Sequence, residues 1–390
     1  MNPFDPALLL LVCRSVFKLN PLRLPLFLLV CFSLSACNAP PKTVRPSPQP
    51  IKGGLSFNQL VLKQTDQQGR LVWQLQTKSA NYTQDRKRVQ VKGLEGELFQ
   101  AGKATFKLKA PQAEVQERGD QLVLRGAIVV TDLVSKGVFT AREFEWQPQT
   151  NTLLARNQPR LQYAQVQITA REMRANRQTK VISARGQVVA DSPRSKLRLL
   201  TQQLEWRTEG DEILAGGTGS AAGVVVQRLS PTATETADRA EGGQARYNLK
   251  TQTVVLQSPA QIRLTKPDLQ INGEQFTWQI AQQQVFSGGP LEVRSASQGV
   301  TVRAEQGAMN LADQQVELKG GVKAIGERHQ SMLQTDQLIW RLPEEEITAQ
   351  GNVFYRQQKP PLTVRGNRAI GNLQDQEVTV TGGTVTQIIP

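Results

Sequence analysis

Beyond residue 55 the chain alternates apolar and polar residues with a period of two, as in Leu122-x-Leu124-x-Gly126-x-Ile128-x-Val130 and Val316-x-Leu318-x-Gly320-x-Val322-x-Ala324. Such alternation predicts half-buried β-strands, each with one face in the interior and one in water. The stretches between them, among them QPQTNT (147–152), RTEGDE (207–212) and RLPEEE (341–346), read as polar turns. No long amphipathic helix is predicted after residue 55, so the fold class is all-β.

The strands recur in register. AREFEW (141–146), TQQLEW (201–206), GEQFTW (273–278) and TDQLIW (335–340) each place a tryptophan five residues after a small residue. Taking the small residue as an anchor, equivalent points fall at Thr77, Ala110, Ala141, Ala170, Thr201, Gly242, Gly273, Ala304, Thr335 and Gly366. The intervals are 33, 31, 29, 31, 41, 31, 31, 31 and 31 residues, which makes ten units with one insertion. Two further columns hold the alignment in place. An aliphatic residue stands twelve after the anchor (Val89, Leu122, Leu153, Ile213, Val254, Val285, Val316, Ile347, Val378), only Val181 coming one early. A glycine stands sixteen after it at 93, 126, 186, 217, 289, 320, 351 and 382, the exceptions being Asn157 and Ser258. A fixed period over this length predicts an elongated stack, because no single unit can bury its own apolar face. The long interval covers residues 216–243, either as a loop or as an interruption of the stack.

Parity adds a detail. Apolar positions before the anchor (Phe139, Ile271, Leu333) and after it (Phe144/Trp146, Phe276/Trp278, Leu338/Trp340) sit on opposite faces of a straight strand. A systematic kink at the small residue is therefore predicted, to keep both sets inside. The glycine column reads as a bend, or as a place where another backbone or a ligand comes close. In this register Trp340 is one member of an aromatic column with Tyr82, Trp146, Trp206, Tyr247 and Trp278, and the glutamates 344–346 occupy a turn.

Composition narrows the chemistry. With 47 basic and 33 acidic residues the formal charge is +14, which favours an anionic partner. Histidine occurs once, at His329, which excludes multi-histidine metal sites and histidine-based triads. No phosphate loop of the Gly-x-x-x-x-Gly-Lys kind is present, and no constellation of catalytic residues emerges; no catalytic residue, metal or cofactor is assigned. The three cysteines, Cys13, Cys31 and Cys37, all precede the repeats, so no disulfide framework holds them.

The N-terminus reads as an address. Arg14, Lys18 and Arg23 precede LPLFLLVCFSLSAC, the order of a basic region, an apolar run and a small-residue cleavage site. Leu34-Ser35-Ala36-Cys37 resembles a bacterial lipobox, which makes residues 1–37 a signal peptide and Cys37 the lipidated residue. An ordinary cleavage site and an uncleaved anchor are the alternatives. Residues 38–54 are a proline-rich linker, about fifteen residues of which reach roughly 45 Å at ~3.1 Å per residue. The folded region is 55–390.

Residues 57–132, with FNQLVLKQTDQQGRLVWQLQTKSANYTQDRKRVQV, GELFQAGKATFKLKAPQAEV and LVLRGAIVVTD, resemble the LptC family. The carrying features are the opening strand, the turn Asp66–Gly69, Trp73, the Ala80/Tyr82 pair and Leu122–Gly126. The resemblance is best over 55–160, and the later units share the repeat of the related LptA bridge protein. It implies a twisted β-jellyroll of stacked antiparallel repeats in the periplasm, held at the inner membrane by its N-terminus. It further implies that the chain accepts lipopolysaccharide, or a related envelope lipid, from an inner-membrane ABC transporter. The cargo would pass to an LptA-like bridge or to the outer-membrane translocon's β-jellyroll; no nucleic acid is involved. Acyl chains would lie among Leu75, Tyr82, Phe106, Leu108, Leu122, Leu124, Phe139 and Trp146, and Val378 and Val380 would offer the edge to the next module. Lys78, Arg86, Lys87 and Arg88 could meet headgroups or a membrane surface. The repeat region is longer than the single jellyroll of the family, and the tether is a cysteine instead of a membrane helix. Two other readings stand beside this one: an envelope scaffold or adhesin, and a polysaccharide-acting enzyme on a β-helix.

Overall fold

A computed structural model describes residues 56–386, apart from 86, 101, 117–120, 164, 165, 177, 217–222, 229–237, 375 and 376. The signal peptide, Cys37 and the proline-rich linker lie outside the described residues. Among the described residues twenty-eight strands form one antiparallel sheet. Fourteen of them are half-strands that join in pairs, for example Thr152–Arg156 with Arg160–Tyr163, and Val166–Thr169 with Glu172–Asn176. Among the described residues the ladder therefore has twenty-one rungs, two per repeat, each bonded to the rungs before and after it in sequence. At ~4.8 Å per step the ladder is about 95 Å long.

Five hairpins from the fifth rung onward share one defect, and burial explains it. Between Arg125↔Glu143 and Ile128↔Ala141, two residues on one strand oppose the single Arg142 on the other. The same shift recurs between Arg185 and Val188, between Lys319 and Val322, and between Gln350 and Val353. On the anchor strand Val138–Gln147 the buried residues are Phe139, Ala141, Phe144 and Trp146, so the inward face does change parity. The partner strand Gln121–Asp132 keeps one parity, burying Leu122, Leu124, Ile128 and Val130. Pairs on the inner face are thus four residues apart on one strand and three on the other, and one extra residue absorbs the difference.

That extra residue falls in the glycine column. Gly126 has φ +104° and Gly186 has φ +76°, in the left-handed region. A Cβ on Gly126 would come within 2.8 Å of the Pro111 ring, and one on Gly186 within 2.9 Å of the Arg171 side chain. The close approach at this column is thus made by the neighbouring rung, and Gly126 itself is exposed. Where glycine is missing, Asn157 takes φ +59°, and Ser258 and Pro259 supply the shift with a cis peptide between them.

The bend divides each rung into two halves, and the two sets of halves face each other as walls. Three contacts across the interior fix their alignment. Tyr163 on the seventh rung meets Trp206 on the tenth with ring centroids 4.9 Å apart. Arg228 on the eleventh rung lies 5.6 Å over the ring of Trp278 on the fourteenth. Ser195, in the turn after the ninth rung, bonds the Tyr247 hydroxyl on the twelfth at 2.8 Å. The walls are offset by about three rungs, on the order of 14 Å.

The lengthened fifth interval leaves the ladder whole. Glu212–Ala215 pairs with Gln244–Asn248, and Val224–Arg228 pairs with both Leu197–Arg207 and Arg239–Gly242.

Candidate functional site: an apolar interior with two unlike ends

Buried side chains from Trp73 to Ile347 form a single apolar cluster along the ladder. Leu75, Leu108, Leu122, Leu124, Phe139 and Trp146 belong to it as buried members, while Tyr82 and Phe106 are half-buried and pack against it. These eight residues come from both walls of the first six rungs. They fill the space they enclose: Leu75, Leu122 and Phe144 are wholly inaccessible, and Phe139 meets Phe144 edge to face at 4.9 Å. None of the eight lines any of the cavities described below.

Room for a ligand lies at the other end. A cavity of about 120 Å³ is lined by Val300, Ala324, Leu333, Ile347, Ala349 and Ala369, with Gly371 and Val378 beside them. Its size is close to that of the ~150 Å³ apolar cavities that stay dry and bind small hydrocarbons. The repeat explains its origin. The positions three and five after the anchor hold Phe144/Trp146, Leu204/Trp206, Phe276/Trp278 and Leu338/Trp340 in four units, but Ala369 and Gly371 in the last. Ala369 faces Ala349 across the ladder and Gly371 faces Ile347, so small residues meet where others carry rings. The apolar cluster divides at this place, Ala349, Val353 and Ala369 forming a separate group. Among the described residues the middle of the ladder holds slivers of about 20 and 10 Å³ beside Tyr247 and Trp278, and a more polar cleft of about 330 Å³ bordered by Arg185, Gln203, Glu205, Gln244 and Arg246. The cavity was missed in the sequence because the candidates were drawn from the residues present; its signal was the pair of side chains absent from the tenth unit.

Polar groups sit at the mouth. Tyr355 donates to Gln357 Oε1 at 2.7 Å. Burial pushes its phenol above the ordinary tyrosine range, against the opposing pull of a hydrogen bond with Ser331. Gln298 Oε1 is buried with no partner. His329 Nδ1 lies 3.1 Å from the Lys359 carbonyl, and Glu327 and Arg328 complete the turn. Deeper inside, Nε1 of Trp73, Trp146, Trp206, Trp278 and Trp340 is in each case buried without a hydrogen-bond partner. A lone buried donor costs roughly 1–3 kcal/mol.

The offset of the walls makes the two ends unlike. At the N-terminus Phe57 and Val61, on the first rung, are 42% and 48% exposed. Phe57 touches Tyr82 with ring centroids 5.8 Å apart. At the C-terminus Val378 and Val380 lie on Glu377–Thr381, the last rung, which pairs only with Pro361–Asn372; Val378 is 41% exposed. Among the described residues, each of these end strands thus has one unpaired edge with partly exposed apolar side chains.

Charge is confined to the outside. Arg156 bonds Glu172 at 3.0 Å and approaches Glu143 and Glu145, which raises its pKa. Lys78, Lys87 and Arg88 are exposed near the N-terminal end; Arg86 lies outside the described residues. Glu345 occupies the turn, with φ +52°, and Glu346 pairs with Arg341. Among the described residues no group of His, Cys, Asp and Glu could hold a metal ion, and no helix is long and apolar enough to cross a membrane.

A staggered β-jellyroll with open edges and a continuous aliphatic and aromatic lining defines a class of protein built to hold apolar groups between two sheet walls. The family described as lipopolysaccharide-assembly, LptC-related, matches residues 24–191 and 292–388, more than half of the chain. The chain belongs to that family. It is a lipopolysaccharide transport protein and not an enzyme. No curated protein matches it. A similar solved structure is that of LptH, the LptA homologous periplasmic component of the conserved lipopolysaccharide transport device from Pseudomonas aeruginosa. The two share 17% identity over 31% of this chain and 79% of that one, with a TM-score of 0.26.

Proposed function

We propose that the chain is a periplasmic conduit, tethered at the inner membrane through Cys37, that accepts lipopolysaccharide from an ABC transporter and hands it towards the outer membrane. The observation that carries this reading is an apolar interior continuous from the second rung to the nineteenth, with an unpaired edge at each end. Acyl chains gain ~0.8 kcal/mol per methylene on leaving water, so such an interior suits them, while sugars and phosphates stay at the basic rim. The N-terminal edge with Phe57 receives from the transporter. The C-terminal edge with Val378 and Val380 is extended by the first strand of a like module, an LptA-like bridge or the translocon's own jellyroll. Residues 38–54 set the distance from the membrane.

The filled state of the first six rungs favours a second reading, a closed envelope scaffold. Photo-crosslinking residues placed at Tyr82, Leu108, Trp146 and Ile347 separate the two in cells. A conduit yields lipid adducts at the interior positions; folded protein with no lipid adduct at any of the four would leave the scaffold.

A further inference from the structure

Four of the five tryptophans recur at one position of the repeat. Trp146, Trp206, Trp278 and Trp340 stand on the sixth, tenth, fourteenth and eighteenth rungs, one every four, while Trp73 stands on the second rung before its anchor and so on the other wall. At ~4.8 Å per rung the four are about 19 Å apart. Elsewhere the same column carries Val115, Ala175, Tyr247, Met309 and Gly371. All five indoles are at most 7% exposed, and all five N–H groups lack an acceptor. Buried indoles ordinarily find a partner. The fold supplies one to the polar atom of Tyr247, through Ser195, and to none of the tryptophans.

Filling space does not account for this, since the column accepts valine, alanine and methionine, and a phenylalanine or leucine would fill it without stranding a donor. Water does not satisfy these groups either, because a buried water needs two to four polar partners and each indole offers one donor. What does satisfy a single donor in an apolar lining is an acceptor oxygen carried on an apolar body. Ester and amide carbonyls of acyl chains are such acceptors.

We propose that the five indole N–H groups are hydrogen-bonding stations for the acyl carbonyl oxygens of a lipid in the interior, the four on one wall lying four rungs apart, with Trp340 the station beside the C-terminal cavity. Trp340 pairs across the ladder with Ile347, which lines that cavity. This rests on the conduit reading and adds to it: the interior recognises the linkage of the chains as well as their methylenes, and a lipid advances in steps.

The test uses the full chain with its indole nitrogens isotopically labelled. It is titrated with mixed micelles of non-ionic detergent carrying either ester-linked dimyristoyl phosphatidylglycerol or the ether-linked phospholipid of equal chain length. The ester lipid should move the Trp340 indole resonance downfield and bind roughly fivefold tighter than the ether lipid, the worth of one ordinary hydrogen bond. In Trp340→Phe the two lipids should bind alike. Equal binding of both lipids with unmoved indole resonances overturns the stations and leaves the conduit intact. Binding of neither lipid overturns the conduit and the stations together. The indole shift in the unsubstituted protein decides the matter even where Trp340→Phe folds poorly.

Discussion

The first six rungs and the last three are built on the same repeat and differ in what fills it. Near the N-terminus Leu75, Leu122, Leu124, Phe144 and Trp146 close the interior, each at most 4% exposed. Near the C-terminus Ala349, Ala369 and Gly371 occupy homologous inward positions and leave about 120 Å³ open. The comparison separates two properties that the repeat joins. A stacked strand pair needs an inward row, with a bulge beside the small anchor in five hairpins from the fifth rung onward; how large the inward side chains are decides whether a unit is plug or pocket. On the proposed conduit reading, an acyl chain would lodge at the C-terminal end, and passage through the N-terminal half would require its walls to part.

The largest effect expected from breaking this contrast is at Phe144. Phe144→Ala should lower stability by ~3–5 kcal/mol, the cost of a cavity in a filled core, as read from the urea midpoint and amide-exchange protection of residues 121–156. A loss below about 1 kcal/mol would mean that the N-terminal interior is loosely filled and the contrast is wrong. Ala369→Leu should act with the opposite sign. Filling the pocket should raise stability by about 1 kcal/mol without lipid and reduce lipid adducts at Ile347; unchanged adducts would move the lipid site elsewhere. The smallest effect concerns Tyr355 at the pocket mouth. Its folded pKa is raised, so its contribution to stability is complete below the ordinary tyrosine value and is lost as the pH rises through the folded value. Urea midpoints of the native chain should therefore fall from about pH 10 upward relative to Tyr355→Phe. Parallel curves for the two proteins would place the phenol in water.

Much of the fold was legible because the signal repeats. A period-two pattern carried through ten units at about thirty-one residues fixes strand, turn and inward face many times over, and the change of parity at the anchor already called for a kink. The location of the bulge was not legible. Parity demands one extra residue per hairpin and does not say which strand carries it; the structure puts it opposite the anchor, at Gly126, Gly186, Gly320 and Gly351. Nor was the glycine's close neighbour, since Pro111 and Arg171 come from another rung. The candidate acyl-chain residues were chosen for being apolar and inward, and they are both. Whether an inward residue borders a space or a neighbour depends on the opposite wall, and the opposite wall is three rungs away.

Local chemistry, then, is what the sequence determined by itself: which residues form strands, which face is apolar, where the turns and small residues fall, and the order of units along one ladder. These follow from alternation and backbone sterics, which act between residues close in sequence or adjacent in the ladder. The stagger of the walls, the partly exposed apolar side chains of the end strands, the pocket under Ala369 and Gly371, and the solitude of the five indole N–H groups were decided by tertiary structure. They depend on how two twisted halves of one sheet come to rest against each other, and that contact joins residues such as Tyr163 and Trp206 that no local pattern pairs.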